Sequence, residues 1–91
     1  EKANMFYAEL ASALRRYFSG KFRTDTNGLT VEEIVAELER RGAPTDLAGR
    51  VSMLLEECDA ARYAPTQPTR EGMSQTLSEA SRVIEAVEGL P

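Results

Sequence analysis

The sequence predicts an all-α protein, a compact bundle of four short helices whose central pair has helix-turn-helix proportions. Two observations predict this fold. In four separate segments, apolar residues recur at spacings of three and four, as on one face of a helix. Residues that begin and end helices stand at the borders of these segments, and no segment is typical of a strand. The chain has 91 residues, the length of one domain, which we expect to span residues 1–91.

The first helix is predicted over about residues 4–18. Asn4 is placed to cap its start, and Ser19-Gly20 is placed to stop it. We expect Phe22 to lie in a loop with its ring in the core. The residues assigned to the apolar face of this helix are Phe6, Leu10, Ala13, Leu14 and Tyr17, widened by Met5 and Ala8.

The second helix, about residues 31–41, has the most complete local signals. Thr30 and Glu33 are spaced as a capping box, and Leu29 and Ile34 as a hydrophobic staple. The residues predicted to end it are Arg40, Arg41, Gly42 and Pro44. The residues predicted to face the core are Val31, Ile34, Val35 and Leu38.

The third helix is predicted over about residues 46–61, with Thr45 or Asp46 as its cap. Its apolar residues are Leu47, Val51, Leu54, Leu55 and Cys58. Gly49 inside a helix costs about 1 kcal/mol relative to alanine, so we expect it to permit close packing against a neighbouring helix.

A proline-containing connector leads to the fourth helix, predicted over about residues 70–88. This helix begins near Thr69 or Arg70 and ends at Gly89. The residues assigned to its inner face are Met73, Leu77, Ala80, Ile84 and Val87.

Composition argues against an enzyme and against a bound cofactor or metal. The chain has no histidine, which removes the commonest general base and the commonest transition-metal ligand. The single cysteine, Cys58, lies in the apolar stripe of the third helix, where we expect a small core residue. It cannot form an internal disulfide, which favours a cytosolic setting. Because the sequence has neither an initiator methionine nor a leader, we interpret it as a fragment of a longer chain or as a processed product.

Two segments resemble known binding motifs. The segment Asp25–Gly28 resembles the centre of an EF-hand loop, but placing Gly28 at the sixth position puts Ile34 where the bidentate acid belongs. We therefore expect a turn. The central helix pair resembles a DNA reader, yet residues 46–61 carry a net charge of −3, which would repel phosphates. We therefore expect that the chain does not bind nucleic acid. A helix-turn-helix DNA-binding regulator is the alternative function if this expectation is wrong.

Charge is uneven along the chain. Residues 1–23 carry a net charge of +3 and the remaining residues −7, for a total of −4. A basic first segment could lie beside an anionic membrane or an acidic partner. We favour the simpler interpretation, a solvated helix end.

The aromatic residues at the helix ends are expected to close over the core. Tyr63 could instead be exposed and anchor a partner, since tyrosine is common at binding hot spots. The candidate partner-binding residues are therefore Tyr63 and its neighbour Arg62.

An ordered set of motifs resembles the cytoplasmic C-terminal domain of the BatD-type aerotolerance membrane proteins. The motifs run Ala13-Leu14-Arg15-Arg16-Tyr17-Phe18, Lys21-Phe22, Leu29-Thr30, Glu33-Ile34, Leu38, Leu54-Leu55, then Cys58 through Pro65, and finally Ala80 and Val83-Ile84. The Cys58–Pro65 segment is the most distinctive of them. Together they cover about residues 5 to 88.

The resemblance implies a non-enzymatic protein-interaction module on the cytoplasmic face of the plasma membrane. A membrane-spanning segment upstream of this fragment would tether it. The implied partners are a von Willebrand-type membrane protein or a MoxR-type AAA+ ATPase. The family supplies no catalytic residues, and we expect no small-molecule substrate.

Overall fold

A computed structural model describes residues 2–61 and 69–90, with the backbone alone for residues 2–4. Its four helices are α1 (Lys2–Phe22), α2 (Val31–Arg40), α3 (Thr45–Ala61) and α4 (Arg70–Glu88). No strand occurs in these two stretches, and the predicted all-α bundle is confirmed. Helix α3 packs against each of the other three helices, and α4 also contacts α1. The core therefore forms around α3.

Helix α1 is longer than predicted at both ends. It begins at Lys2, so Asn4 lies inside the helix and is not its cap, and Gly20 does not stop it. The helix continues to Phe22, whose ring is buried and stacks on Phe18 with centroids 5.6 Å apart. Burial of Phe22 is confirmed, but its expected place in a loop is wrong. The helix ends where Arg23 adopts a φ of 58° and the Thr24 N–H donates to the carbonyl oxygen of Ser19 over 3.1 Å. This is the Schellman closure that a glycine usually makes.

The predicted core face of α1 is also wrong by about a quarter turn. The buried residues are Tyr7, Ala11, Leu14, Phe18 and Phe22. Of the residues assigned to the core, only Leu14 is buried, whereas Ala13 is exposed and Phe6, Leu10 and Tyr17 are partly buried. Apolar residues cover more than half of the circumference of α1, so spacing alone does not determine which arc faces the core.

The loop between α1 and α2 is fixed by Thr26, which is fully buried. Its hydroxyl donates to the carbonyl oxygen of Arg15 over 2.7 Å, and its N–H donates to Oγ of Ser19 over 2.9 Å. The Arg15 guanidinium donates to the carbonyl oxygens of Thr26 and Leu29 at 2.8 and 2.9 Å. The Asp25 carboxylate accepts the N–H of Asn27 over 2.9 Å, so this segment forms the predicted turn.

Both ends of α2 follow the sequence prediction, with its last helical residue at Arg40. The Thr30 hydroxyl accepts the N–H of Glu33 over 3.1 Å, and the Glu33 carboxylate accepts the N–H of Thr30 over 2.8 Å. Gly42, at φ 97°, donates to the carbonyl oxygen of Glu39, and Ala43 donates to that of Leu38. These bonds complete a Schellman motif. The buried residues of α2 are Ile34 and Leu38, while Val31 and Val35 are partly buried.

In α3, all five predicted core residues are buried, together with Ala48. The helix begins at Thr45, and the carbonyl oxygen of Pro44 accepts its first bond from the Ala48 N–H. Pro44 therefore occupies the cap position predicted for Thr45 or Asp46. The expectation for Gly49 is wrong, because Gly49 is exposed and a Cβ there would meet nothing within 4 Å.

The bounds of α4 match the prediction, and the Thr69 hydroxyl caps it by accepting the N–H of Gly72 over 2.9 Å. Its inner face is rotated relative to the prediction. The buried residues are Thr76, Ala80, Val83 and Val87. Leu77, assigned to the core, is 50% exposed, and Met73 and Ile84 are partly buried.

Candidate functional site

The residues wrongly assigned to the core share a second apolar face on α1. Phe6, Leu10, Ala13 and Tyr17 recur at spacings of four, three and four, so they lie on one side of the helix. Phe6, Leu10 and Tyr17 pack against the edge of the core but remain partly open to solvent.

Contacts of Tyr17 show which neighbour this second face approaches. The Tyr17 hydroxyl donates to the Glu88 carboxylate of α4, and Lys21 lies 3.6 Å from the same carboxylate. At the other end of α4, a Cβ on Gly72 would come within 4.0 Å of the Tyr7 hydroxyl. Helices α1 and α4 therefore run side by side in the same direction, and the Tyr17 face of α1 lies toward α4.

Helix α4 has a matching apolar face. Met73, Leu77 and Ile84 recur at spacings of four and seven, and Glu88 follows four residues later. Because Glu88 accepts from Tyr17, this face lies toward α1. We name the combined surface the α1–α4 strip. Its residues are Phe6, Leu10, Ala13 and Tyr17 of α1 with Met73, Leu77 and Ile84 of α4.

The α1–α4 strip ends in a cationic depression beside the C-terminus of α1. The residues lining this depression are Arg16, Tyr17, Gly20, Lys21, Arg23 and Glu88. Three of the six are cations and one is a carboxylate. Arg16 and Arg23 are exposed, and no acidic side chain among the described residues lies within ion-pairing distance of either.

Protonation at this end of the strip is well defined at neutral pH. Burial, followed by the hydrogen bond to the Glu88 carboxylate, raises the pKa of Tyr17 above its ordinary value. The hydrogen bond from Tyr17, followed by the charge of Lys21, lowers the pKa of Glu88. A neutral phenol therefore donates to an ionised carboxylate, which fixes the Tyr17 ring at the edge of the strip.

A second open groove lies between α3 and α4. The residues lining it are Arg50, Met53, Leu54, Glu57 and Glu79. Arg50 donates to both carboxylate oxygens of Glu79, at 2.9 and 3.0 Å, and this hydrogen-bonded pairing lowers the pKa of Glu79. Met53 is 73% exposed at its edge. This groove is therefore bordered by one exposed apolar side chain and by the Arg50–Glu79 ion pair.

Some of the residues that the sequence analysis selected lie within the described part of the chain, and others do not. Arg62 and Tyr63 lie outside the described residues, as does much of the Cys58–Pro65 segment. Cys58 itself is buried in the core, as predicted. In the central helix pair, Arg50 of α3 is engaged by Glu79, which leaves the acidic charge of α3 dominant.

Sequence reasoning missed the α1–α4 strip because it counted the same residues as core. The available signal was an excess of apolar residues on α1 and α4, more than one face of either helix can bury. Met53 was missed too, because a single exposed apolar residue has no sequence pattern.

Within residues 2–61 and 69–90, no three acidic or cysteine side chains are grouped so that they could hold a metal ion. None of the described helices is both long and apolar enough to cross a bilayer. Comparison with known proteins gives no match to a family profile, a curated protein or a solved structure.

Proposed function

We propose that this chain is a non-enzymatic protein-interaction module that binds its partner on the α1–α4 strip. The observation that carries the proposal is the half exposure of Leu77, which lies between the partly buried Met73 and Ile84 on the face of α4 that lies toward α1. Exposed apolar patches of this kind typically mark interaction sites. The α1–α4 strip also contains aromatic residues and a methionine, the types enriched in interfaces, at Phe6, Tyr17 and Met73.

The chemistry of the strip supports binding rather than catalysis. Its one titratable side chain is Tyr17, whose proton is held by Glu88. A catalytic site would need a nucleophile beside a base, or an acid and a base of separated pKa, next to a pocket. The strip instead presents apolar surface that gains free energy when a partner removes it from water.

The resemblance to BatD-type aerotolerance proteins supplies candidate partners for this proposal. In a longer chain, a membrane segment preceding α1 would hold the module at the cytoplasmic face of the plasma membrane. A von Willebrand-type membrane protein or a MoxR-type AAA+ ATPase would then be the partner. This assignment rests on the motifs from Ala13 to Ile84 and is tested by the same binding experiment.

The experiment is a fluorescence-anisotropy titration of the labelled 91-residue chain with each candidate partner. Leu77→Glu should abolish binding, because it places a charge in the apolar strip. Met53→Glu is the matched control, since it introduces the same charge at an exposed apolar position on α3 and should bind normally. Equal loss in both variants would contradict the use of the strip. Salt-dependent binding to duplex DNA would favour the helix-turn-helix alternative instead.

A further inference from the structure

We infer that a second copy of this chain binds the α1–α4 strip, running antiparallel to the first and related to it by a twofold axis across the middle of the strip. The inference rests on the proposed function, because it takes the strip as a protein-binding surface and names the protein that binds there. It depends on exposed acidic and basic residues that exchange places between the two ends of the strip.

The position of the twofold axis can be read from the contacts between α1 and α4. An axis that crosses both helices at right angles places α1 against α1 of the other copy and α4 against α4, each pair antiparallel. The Tyr7 hydroxyl lies beside Gly72 near the start of the strip, and Tyr17 donates to Glu88 near its end. The middle of the strip is therefore close to position 12 of α1 and position 80 of α4. Residues equally far from these positions lie opposite each other.

On α1, this axis pairs an acid with a base. Glu9, Ala13 and Arg16 recur at spacings of four and three, so the two charged residues lie along one edge of the strip. Both are exposed, and neither forms an ion pair with the described residues. The point midway between Glu9 and Arg16 lies within one residue of position 12. In the antiparallel pair, Glu9 of each copy therefore faces Arg16 of the other.

On α4, the same axis pairs a second base with a second acid. Arg70 and Glu88 are eighteen residues apart, which is five full turns, and they lie on the same side of α4 as Leu77. Both charged residues are exposed, and Arg70 forms no ion pair with the described residues. The point midway between them lies within one residue of position 80. The Glu88 carboxylate, already bonded to Tyr17 and Lys21, has acceptor sites left for Arg70 of the other copy.

The shape of α1 gives the same pairing. Met5, near the start of the helix, is 60% exposed. The cationic depression lies near its end, where a Cβ on Gly20 would meet nothing within 4 Å. The point midway between Met5 and Gly20 also lies within one residue of position 12, so the axis places Met5 of each copy over the depression of the other. In the centre, Leu10 lies opposite the small side chain of Ala13.

Other occupants use fewer of these features. A copy running in the same direction would lay α1 against α4 of the other copy. Arg16 would then approach Glu88, but Met5 would lie at the opposite end from the depression. An unrelated protein could cover the apolar residues, yet it does not require acids and bases to exchange places along each helix. The antiparallel copy alone satisfies the charges and the depression together.

The test is sedimentation equilibrium of the full 91-residue chain over a series of concentrations at low salt. We expect a reversible equilibrium between the 10.0 kDa monomer and a dimer. Leu77→Glu should sediment as a monomer, because it places two charges in the apolar interface. Met53→Glu, the matched control on α3, should dimerise like the wild type.

Charge exchange on α1 tests the antiparallel arrangement. Glu9→Arg and Arg16→Glu should each raise the dissociation constant of the dimer about three- to tenfold, since like charges then face each other. A mixture of these two variants should form the mixed dimer, and the double variant Glu9→Arg/Arg16→Glu should recover the wild-type dissociation constant. Glu39→Arg, which makes the same charge change at an exposed position on α2, should leave the dimer unchanged.

The possible outcomes separate this inference from the proposed function. A chain that stays monomeric at about 1 mM, but binds another protein in a manner that depends on Leu77, would overturn the inference and leave the proposed function standing. No binding of either kind that depends on Leu77 would overturn both.

Three further outcomes would also contradict the inference. A dimer that persists in Leu77→Glu would place the contact elsewhere. A double charge variant that stays weak would exclude the antiparallel pairing. Binding of the monomer to vesicles of phosphatidylcholine and phosphatidylglycerol, lost in Leu77→Glu, would assign the strip to lipid. Far-UV circular dichroism confirms that each variant is folded.

Discussion

The hydroxyl of Thr26 donates to the carbonyl oxygen of Arg15 over 2.7 Å, and this bond joins the loop before α2 to the body of α1. Because the Thr26 proton is committed to Arg15, the hydroxyl of Ser19 must donate to Thr26 Oγ1 over 2.8 Å. The Thr26 N–H in turn donates to Oγ of Ser19. The side-chain hydrogen-bonding groups of both residues are thus used within this network.

We predict that Thr26→Val destabilises the fold by about 1–3 kcal/mol, because it removes the part-buried hydrogen bonds of the Thr26 hydroxyl with the Arg15 carbonyl oxygen and the Ser19 hydroxyl. The shape of the side chain is nearly unchanged, so packing is preserved. Urea denaturation gives the free energy of unfolding. Thr24→Val, at an exposed position in the same loop, is the control and should stay within about 0.5 kcal/mol of the wild type. Equal stability of the two variants would show that the network does not hold the loop.

The ends of α1 and α2 each contain a residue in the left-handed conformation, Arg23 in one and Gly42 in the other. Substitutions at these two positions are therefore predicted to have opposite effects on stability. Arg23→Gly should be neutral or should stabilise by up to about 1 kcal/mol, since glycine adopts a φ of 58° without a Cβ penalty. Gly42→Ala should destabilise by about 1 kcal/mol. A Cβ at Gly42 would meet nothing within 4 Å, so this cost is backbone strain alone. The melting temperatures of the two variants, measured in one buffer, test this pair of predictions. A shift of both melting temperatures in the same direction would contradict the assignment of left-handed conformations to Arg23 and Gly42.

Glycines inside helices provide a third prediction. Gly20 of α1 and Gly49 of α3 are exposed, and a Cβ at either would meet nothing within 4 Å. Gly20→Ala and Gly49→Ala should each stabilise by about 0.5–1 kcal/mol, because alanine loses less backbone entropy in a helix. A lower free energy of unfolding for Gly49→Ala in urea denaturation would contradict this prediction. It would instead support the close helix contact at Gly49 that the sequence predicts.

Much of the fold could be predicted from the sequence, because some of its signals are local. Thr30 and Glu33 cap α2 with their own atoms, and the stripe of α3 is narrow, so its inward side is unambiguous. Helix α1 differs because its end depends on distant contacts. The sequence predicts that the ring of Phe22 is buried, but Gly20 looks like a helix stop, and no local pattern shows that the helix continues through Gly20 to Phe22.

The candidate site could not be predicted for a related reason. Helices α1 and α4 each bear two overlapping apolar arcs, and packing around α3 decides which arc is buried. On α4 the buried arc contains Thr76 and Val83, and the arc that contains Leu77 is exposed. Tertiary packing therefore created the α1–α4 strip from residues that look like core in the sequence.

The Arg50–Glu79 ion pair gives a prediction for the dependence of stability on pH. Hydrogen bonding to Arg50 lowers the pKa of Glu79 in the folded state, so the pair contributes stability at pH values above the ordinary carboxyl pKa. That contribution is lost as the pH falls through the lowered pKa. Glu79→Gln should therefore be less stable than the wild type at pH 7, and the difference should shrink at pH 2.5. Thermal unfolding at both pH values measures this.

The matched control for the pH experiment is Glu56→Gln, on the exposed side of the same helix pair, where Glu56 forms no ion pair with the described residues. The difference in melting temperature between Glu56→Gln and the wild type should change less between pH 7 and pH 2.5 than the difference for Glu79→Gln. A constant difference for Glu79→Gln would mean that the ion pair adds nothing to the stability of the α3–α4 contact.

Chemical-shift mapping of the ¹⁵N-labelled chain with a bound partner protein tests most directly whether the α1–α4 strip is the docking surface. We predict that the largest amide shifts cluster at Leu10, Tyr17 and Leu77, and that the amides around Met53 on α3 stay unchanged. The largest shifts around Met53 and Arg50, with the strip unaffected, would contradict the proposed function.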